Sequence, residues 1–377
     1  MRTIHPTFVT AAFSFALICL LSVSCNNNTK SADSSKASET IVIKDTIAPL
    51  PLEELHLSDK DFGEIVELTG VSHPVEEIFR ISETEMIIKD SLLIMKNRPF
   101  DKGFFMIYSL PDFRFLASVG NLGNGPLEFQ FPHLIKSSSD SVLCYIYEGT
   151  KAKMYSMSND FTINELDYNI TEDGSGWSQK DFCSINDSTF LYADNAKGGK
   201  AISTMKISGD SLTISRDYPI AFSEKHKNWA AYTGCLGVNS DYDRAVYVYK
   251  YFRRLRFYDL ENKTFRDVIF GADEKKSEGD VETLAPTNIT YYWKISPQKK
   301  HIYCLYSGRT PVQVHNELKK EISYIYVEQF DWNGNPVRKY RLDHWGYFCV
   351  NEQEDTIYLV STDEEQPFYS YQLFNRK

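Results

Sequence analysis

The sequence has few of the residues and none of the contiguous patterns that announce local chemistry. Its eight histidines are scattered, with no pair at helical spacing, and no HExxH, P-loop or GxSxG segment occurs. No contiguous motif therefore supports a zinc protease, a P-loop nucleotidase or an α/β-hydrolase, although a triad or metal set assembled only in space stays open. Cysteine is also scarce: seven residues, none in a CxxC pair and none at zinc-type spacing. No motif calls for a cofactor or a metal. Basic charge is in deficit, with 41 Lys and Arg against 51 Asp and Glu and a formal net charge of −10. Nonspecific nucleic-acid binding needs a basic face that displaces counterions, so no nucleic-acid partner is expected.

The apolar run at the N-terminus, Phe8–Val23, is shorter than the about 20 residues of a membrane-spanning helix. It follows Arg2 and precedes Cys25 and the polar stretch NNNTKSADSSKASE. A charged start, an apolar core and a small-residue cleavage region make a secretory signal. The ending LSVSC resembles a bacterial lipoprotein signal, in which the cysteine is lipidated and becomes the new N-terminus. It departs from the usual pattern in that Ser22 stands three residues before the cysteine, with Leu21 one place early. The resemblance implies a signal peptide over 1–24, lipidation at Cys25, a flexible tether over 25–55 and a folded domain over 56–377. It also implies an anchor in the outer membrane, facing either the periplasm or the surface. An ordinary secreted protein or an uncleaved anchor is the alternative. Residues 26–40 have no apolar periodicity and suit a tether. Each buried CH₂ of an acyl chain would contribute about 0.8 kcal/mol to anchoring.

The remaining cysteines, Cys144, Cys183, Cys235, Cys304 and Cys349, sit in apolar strand-like runs. Their odd number leaves at least one unpaired, and they read as small buried core residues. One disulfide between neighbouring strands remains open in an oxidising envelope.

Tyr and Phe number 24 each, which favours strands because aromatic side chains pack well on a pleated surface. A repeat lies under low identity. Strand-like triplets ending in Ser or Asn recur as FRIS (79–82), IKSS (135–138), CSIN (183–186), LGVN (236–239), WKIS (293–296) and FCVN (348–351). A turn and a second strand follow each, beginning at Asp90, Asp140, Asp187, Asp243, Lys300 and Asp355. A period of roughly fifty residues with strand alternation inside it is the signature of a propeller. Third and fourth strands follow as hairpins in five units, and the sixth copy stops after its third strand. The unmatched segment DFGEIVELTG (61–70) is the candidate for the missing edge. The expected fold is all-β: six four-stranded antiparallel blades in a ring closed by an N-terminal strand. Five blades, seven blades or two sandwiches are the alternatives.

GDSL (209–212) resembles the nucleophile block of a lipase/esterase family, but it falls where each unit places its hairpin turn, as does DWNGN (331–335). VGNLGNGPLEFQFP (119–132) lies between units one and two and leads into a strand, whereas a dinucleotide loop must open a helix. Gly120, Gly123, Gly125, Phe129 and Pro132 resemble the inter-blade linker of NHL-type propellers. Together with the N-terminal signal and the six units, this G-x-GP-x-EF loop makes the chain similar to the TolB-like six-bladed propeller lipoproteins of Gram-negative anaerobes. That resemblance implies the fold and the address and carries over no catalytic residue.

In such a ring the fourth-to-first and second-to-third connections share one face, here carrying the long segments 120–132, 271–289 and 307–322. Arg98, Arg253, Arg309 and Glu128 lie in or beside them, and Arg80, Lys136 and Lys294 lie inside the triplets. These seven are the candidate ligand-binding residues, a positive funnel suited to an anionic ligand. The leading expectation is a non-enzymatic module that recognises an envelope protein or glycan through this face. An envelope hydrolase or lyase working at the central channel, and a structural part of an envelope complex, are the alternatives.

Overall fold

The computed structural model describes residues 47–77, 84–97, 103–170, 180–194, 201–209, 211–226, 229–274, 281, 286–362 and 364–373. The signal, Cys25 and most of the tether lie outside the described residues, as do Arg80 and Arg98.

The chain forms six small antiparallel sheets, one per repeat. The innermost strands are Glu85–Lys89, Pro132–Lys136, Lys180–Asn186, Gly234–Asn239, Thr290–Pro297 and Gly346–Asn351. Each packs beside the next, and the sixth packs beside the first, so the ring is closed. The hydrophobic core is correspondingly divided into six wedges, each between two adjacent blades. Aromatic side chains fill them. Phe129 is fully buried against Phe105 and Tyr155, with ring centroids 5.4 and 5.1 Å away. Burying one such side chain contributes roughly 1.5–3 kcal/mol.

The repeat signal has a backbone cause. Asp90, Asp243 and Asp355 occupy the left-handed region, with φ of 53°, 51° and 51°. The first-to-second turns of blades one, four and six take that conformation, which Asp tolerates because its short side chain can hydrogen-bond locally. GDSL likewise falls at a hairpin, with Asp210 outside the described residues. Ser208 pairs with Ser211 across the strands Ala201–Ser208 and Ser211–Pro219, and Gly209 has φ of 57°. In DWNGN the Asp331 side chain accepts hydrogen bonds from the backbone of Asn333 and Asn335, both at 2.9 Å, which fixes the hairpin. All five domain cysteines are free, and Cys144, Cys304 and Cys349 are buried.

Two expectations are corrected. The ring is closed by Val71–His73, which pairs antiparallel with Phe368–Gln372, and not by the segment before it. Val66–Leu68 instead adds a parallel fifth strand to the outer edge of blade five, and Leu55–His56 does the same for blade four. The N-terminal segment is therefore a belt over two blade edges before it completes the sixth. It crosses from blade five to blade six at Gly70, whose N–H donates to Asp343 at 3.2 Å. A Cβ at Gly70 would lie 2.8 Å from the Tyr371 ring. The second correction concerns blade one. Its inner strand is Glu85–Lys89, and the triplet at 79–82 lies outside the described residues and not at that strand's end.

An ion cluster, buried at Arg253, Glu328 and Lys339 and open to solvent at Asp59, fastens the belt. Asp59, in the 3-10 turn Asp59–Phe62, accepts from Arg253 at 2.7 Å and from Lys339 at 2.7 Å. Arg253 also pairs with Asp273 at 2.8 Å and with Glu328, which is fully buried and takes a further hydrogen bond from Tyr292 at 2.8 Å. Phe62 inserts beside Phe330, with centroids 5.3 Å apart. Burial raises the Asp59 carboxyl, but Arg253 and Lys339 outweigh it and hold it well below its ordinary value. Arg253→Met would strand Glu328 with fewer partners, so the variant should lose about 3 kcal/mol, the usual cost of breaking a buried pair. A lower urea midpoint with an unchanged β-sheet circular dichroism spectrum is the expected result.

Candidate functional site in the axial channel

Each inner strand is entered from the loop face and leaves at a first-to-second turn. Five inner strands supply a chemically active side chain near the entry end: Glu85, His133, Asp181, Cys235 and Tyr347 stand first or second, whereas Lys294 stands fifth of eight in the blade-five strand and reaches the same level by its length. Lys294 reaches across the channel. Its Nζ lies 4.0 Å from Glu85, although blade six separates blades five and one. It is surrounded by protein, yet 43% of its side-chain surface is open to solvent, because it projects into the channel and not into a wedge.

Glu85 is the hub of this ring. Its carboxylate receives Lys96 at 3.1 Å, the Nδ1 of His133 at 3.0 Å and the N–H of Leu134 at 3.0 Å. Burial alone would raise its pKa. Lys96, His133 and Lys294 outweigh burial and hold it well below the usual carboxylate range. Asp181 moves the other way: burial raises it and the nearby Glu85 adds to the rise, more than offsetting Lys294 and the Leu236 N–H at 2.8 Å. Burial lowers the Lys294 ammonium, but Glu85, Cys235 and Asp181 reverse this and leave it raised. The Cys235 thiol is pushed up to about 11, chiefly by burial, so it stays protonated and is a poor nucleophile. Among the described residues no group of three His, Cys, Asp or Glu is disposed to hold a metal ion.

At the other end of the same strands the channel widens into a cavity of ≈ 260 Å³. All six blades contribute to its wall, including Ile87, Lys136, Cys183, Asn239, Ser296 and Cys349.

The structure separates the residues singled out from the sequence. Lys294 belongs to the upper ring and Lys136 to the lower cavity, so the two are not equivalent. Arg253 is fastened in the belt cluster with three carboxylate partners. Arg309 is buried at the second-to-third connection of blade five, where it pairs with Glu317 of the helix Pro311–Leu318, donates to the Tyr324 carbonyl at 2.7 Å and lies 3.9 Å over the Tyr324 ring. Glu128 turns back into its own loop and accepts the Gly125 N–H at 2.8 Å. Gly120 and Gly123 have φ of 78° and 157°, and a short parallel pair joins Asn121–Leu122 to Glu128–Phe129. Glu148, fully buried, accepts the N–H groups of Gln130 and Phe131 and seats the linker on blade two. The glycine segment is thus an inter-blade connection. Glu85, His133 and Asp181 were missed in the sequence. Their common mark is a polar residue at the start of each unit's first strand, and the misplaced first triplet hid it.

Residues 61–353 match the family model described as TolB-like 6-blade propeller-like. Among solved structures, a member of the DUF4221 family from Bacteroides vulgatus superposes with a TM-score of 0.54 at 11% identity, over 82% of this chain and 98% of that one. A Bacteroides fragilis protein described as exported gives a TM-score of 0.51 at 10% identity, over 85% and 98%. At such identities the likeness carries the fold alone. No curated protein matches the sequence.

The two channel carboxylates should respond oppositely to neutralisation. A depressed folded-state pKa gives stability that is present above the unfolded value and lost as pH falls through the folded one. Glu85→Gln should therefore cost about 2 kcal/mol at pH 7, the scale of hydrogen bonds to a charged group. The loss should shrink as the pH falls into the acidic range. A raised pKa means that ionisation works against folding, so Asp181→Asn should leave stability at pH 7 equal or higher. Urea melts of both variants between pH 3 and pH 8 check the pair of signs.

Proposed function

From the premise that this chain belongs to the TolB-like six-bladed propeller family, we propose that it is an exported, lipid-anchored binding module of the cell envelope. It recognises a protein or glycan at the loop-face mouth of its channel. The anchor rests on the LSVSC resemblance, and the exported address is supported by the likeness to the Bacteroides fragilis protein described as exported. The observation that carries the binding reading is the upper ring: one polar or ionisable side chain from every blade, with Lys294 and His133 accessible from the channel. A rigid ring presents such groups without an ordering cost on binding. Anionic groups of the partner would meet Lys294 and Lys96, and hydroxyls would meet the Glu85 carboxylate.

A second reading has its own observation. Carboxyls pushed apart in pKa, Glu85 down and Asp181 up, are the arrangement that acid–base chemistry needs. A channel hydrolase or lyase would use Asp181 as proton donor and His133, oriented by Glu85, as base.

Immobilised protein should retain an envelope protein or an acidic glycan from extract or a glycan array. Lys294→Gln should weaken that retention about tenfold, the effect of one charge-assisted hydrogen bond. Retention unaffected by Lys294→Gln contradicts the site assignment. Turnover of a retained glycan that Asp181→Asn abolishes without reducing retention would favour the second reading.

A further inference from the structure

We propose that the lower cavity, at the opposite end of the channel from the upper ring, is a binding site for a small organic oxyanion, carrying a carboxylate or a phosphate group. Lys136 carries the assignment. It ends the inner strand of blade two and lines the cavity. Its side chain is exposed and lines the cavity, and Asp90 and Glu352 lie within electrostatic range of its ammonium group without bonding to it. Glu352 is already engaged by the backbone of Lys300 at 2.8 Å and by His301 at 2.5 Å. Asp241, on the cavity rim, faces Lys299 at 3.7 Å. Cys349, beside Lys136, is no counter-ion, since burial raises its thiol pKa. Lys89 adds a second positive charge nearby, its own hydrogen bonds satisfied by the carbonyls of Ser139 and Val142.

The hydroxyls of the wall divide into spent and available donors. Ser138 donates to the Ile185 carbonyl and Ser184 to the Asn186 carbonyl. Ser137 and Ser296 instead accept: Ser137 from the Ser139 N–H at 3.0 Å, Ser296 from the Val350 N–H at 3.0 Å and the Gln298 amide at 3.1 Å. Both are buried and line the cavity, and their O–H protons remain to be donated. An ammonium and two hydroxyl donors over one cavity match the acceptors of an oxyanion. Ile87, Ile88, Phe182, Val238 and Ile295 supply an apolar wall for a carbon body and keep the dielectric low. At ≈ 260 Å³ the space is below the roughly 300–1,000 Å³ of drug-sized ligand pockets. It suits a single acidic sugar or a small organic acid or phosphate.

The purified chain would be titrated calorimetrically at constant ionic strength with glucuronate, glycerol phosphate and inorganic phosphate. Saturable 1:1 binding of at least one is expected, and the probe that binds distinguishes carboxylate from phosphate. Lys136→Gln should weaken it at least about tenfold, the loss of one charge-assisted hydrogen bond. Ser296→Ala should weaken it less, and Lys263→Gln, on an exposed hairpin, should not change it. In the wild-type protein the same probe should protect Lys136, and not Lys263, from amine acylation read by mass spectrometry. No saturable binding of any probe, or binding that neither depends on nor protects Lys136, would overturn the proposal. The site is separate from the upper ring, so either outcome leaves partner capture at the loop face to its own test.

Discussion

A ring of blades is stable only if it is closed, and here closure depends on one short strand from the wrong end of the chain. Val71–His73 supplies the outer edge of the sixth blade, whose other three strands come from the C-terminus. Each wedge of core is shared between two blades, so an open ring would expose two wedge faces at once, not one strand edge. The closing pair contributes only a few ladder bonds. Much of its hold comes from what precedes it: the parallel strands on blades four and five, the crossing at Gly70 and the ion cluster of Asp59, Arg253, Glu328 and Lys339. Its Arg253, Glu328 and Lys339 are buried, which makes that part of the cluster expensive to desolvate and costly to break. It therefore fixes the path of the belt more than it adds net stability.

Closure also explains why the channel can hold charge. Polar side chains at the inner edge of a blade face the axis and not a packed wedge, so they keep access to water while being surrounded by protein. Glu85 and Asp181 experience the same ring from different positions. Glu85 has Lys96 and His133 at hydrogen-bond distance, whereas Asp181 has a single backbone N–H and burial that no directly bonded cation offsets. One ring thus contains a carboxylate held ionised and a carboxyl held toward its neutral form. The lower cavity has a different balance, with Lys136 and Lys89 close together and Asp90 and Glu352 within electrostatic range of Lys136.

The fold was legible because its repeat has local causes. Asp90, Asp243 and Asp355 mark turns that take a left-handed residue, and the hairpins at Gly209 and 331–335 use Gly, Asp or Asn. The closing strand was read a few residues early because Val66–Leu68 and Val71–His73 are both short apolar strands. Only the Gly70 crossing, a tertiary contact with Tyr371 and Asp343, separates them. The site was less legible. Arg253 and Arg309 looked available in the sequence, but their partners Asp59, Glu328 and Glu317 come from other elements. Glu85, His133 and Asp181 are about fifty residues apart, and each is a lone polar residue at the start of an apolar strand. Nothing local distinguishes such a residue from a solvated strand end until the ring brings these starts and Lys294 together.

The central claim is that the upper channel is a polarised site and not a solvated opening. A ¹³C NMR titration of the side-chain carboxyls, with Glu85 and Asp181 assigned by Glu85→Gln and Asp181→Asn, tests it most directly. The account predicts that Glu85 titrates below the ordinary glutamate range and Asp181 above the ordinary aspartate range in the same molecule. Ordinary values for both would contradict it.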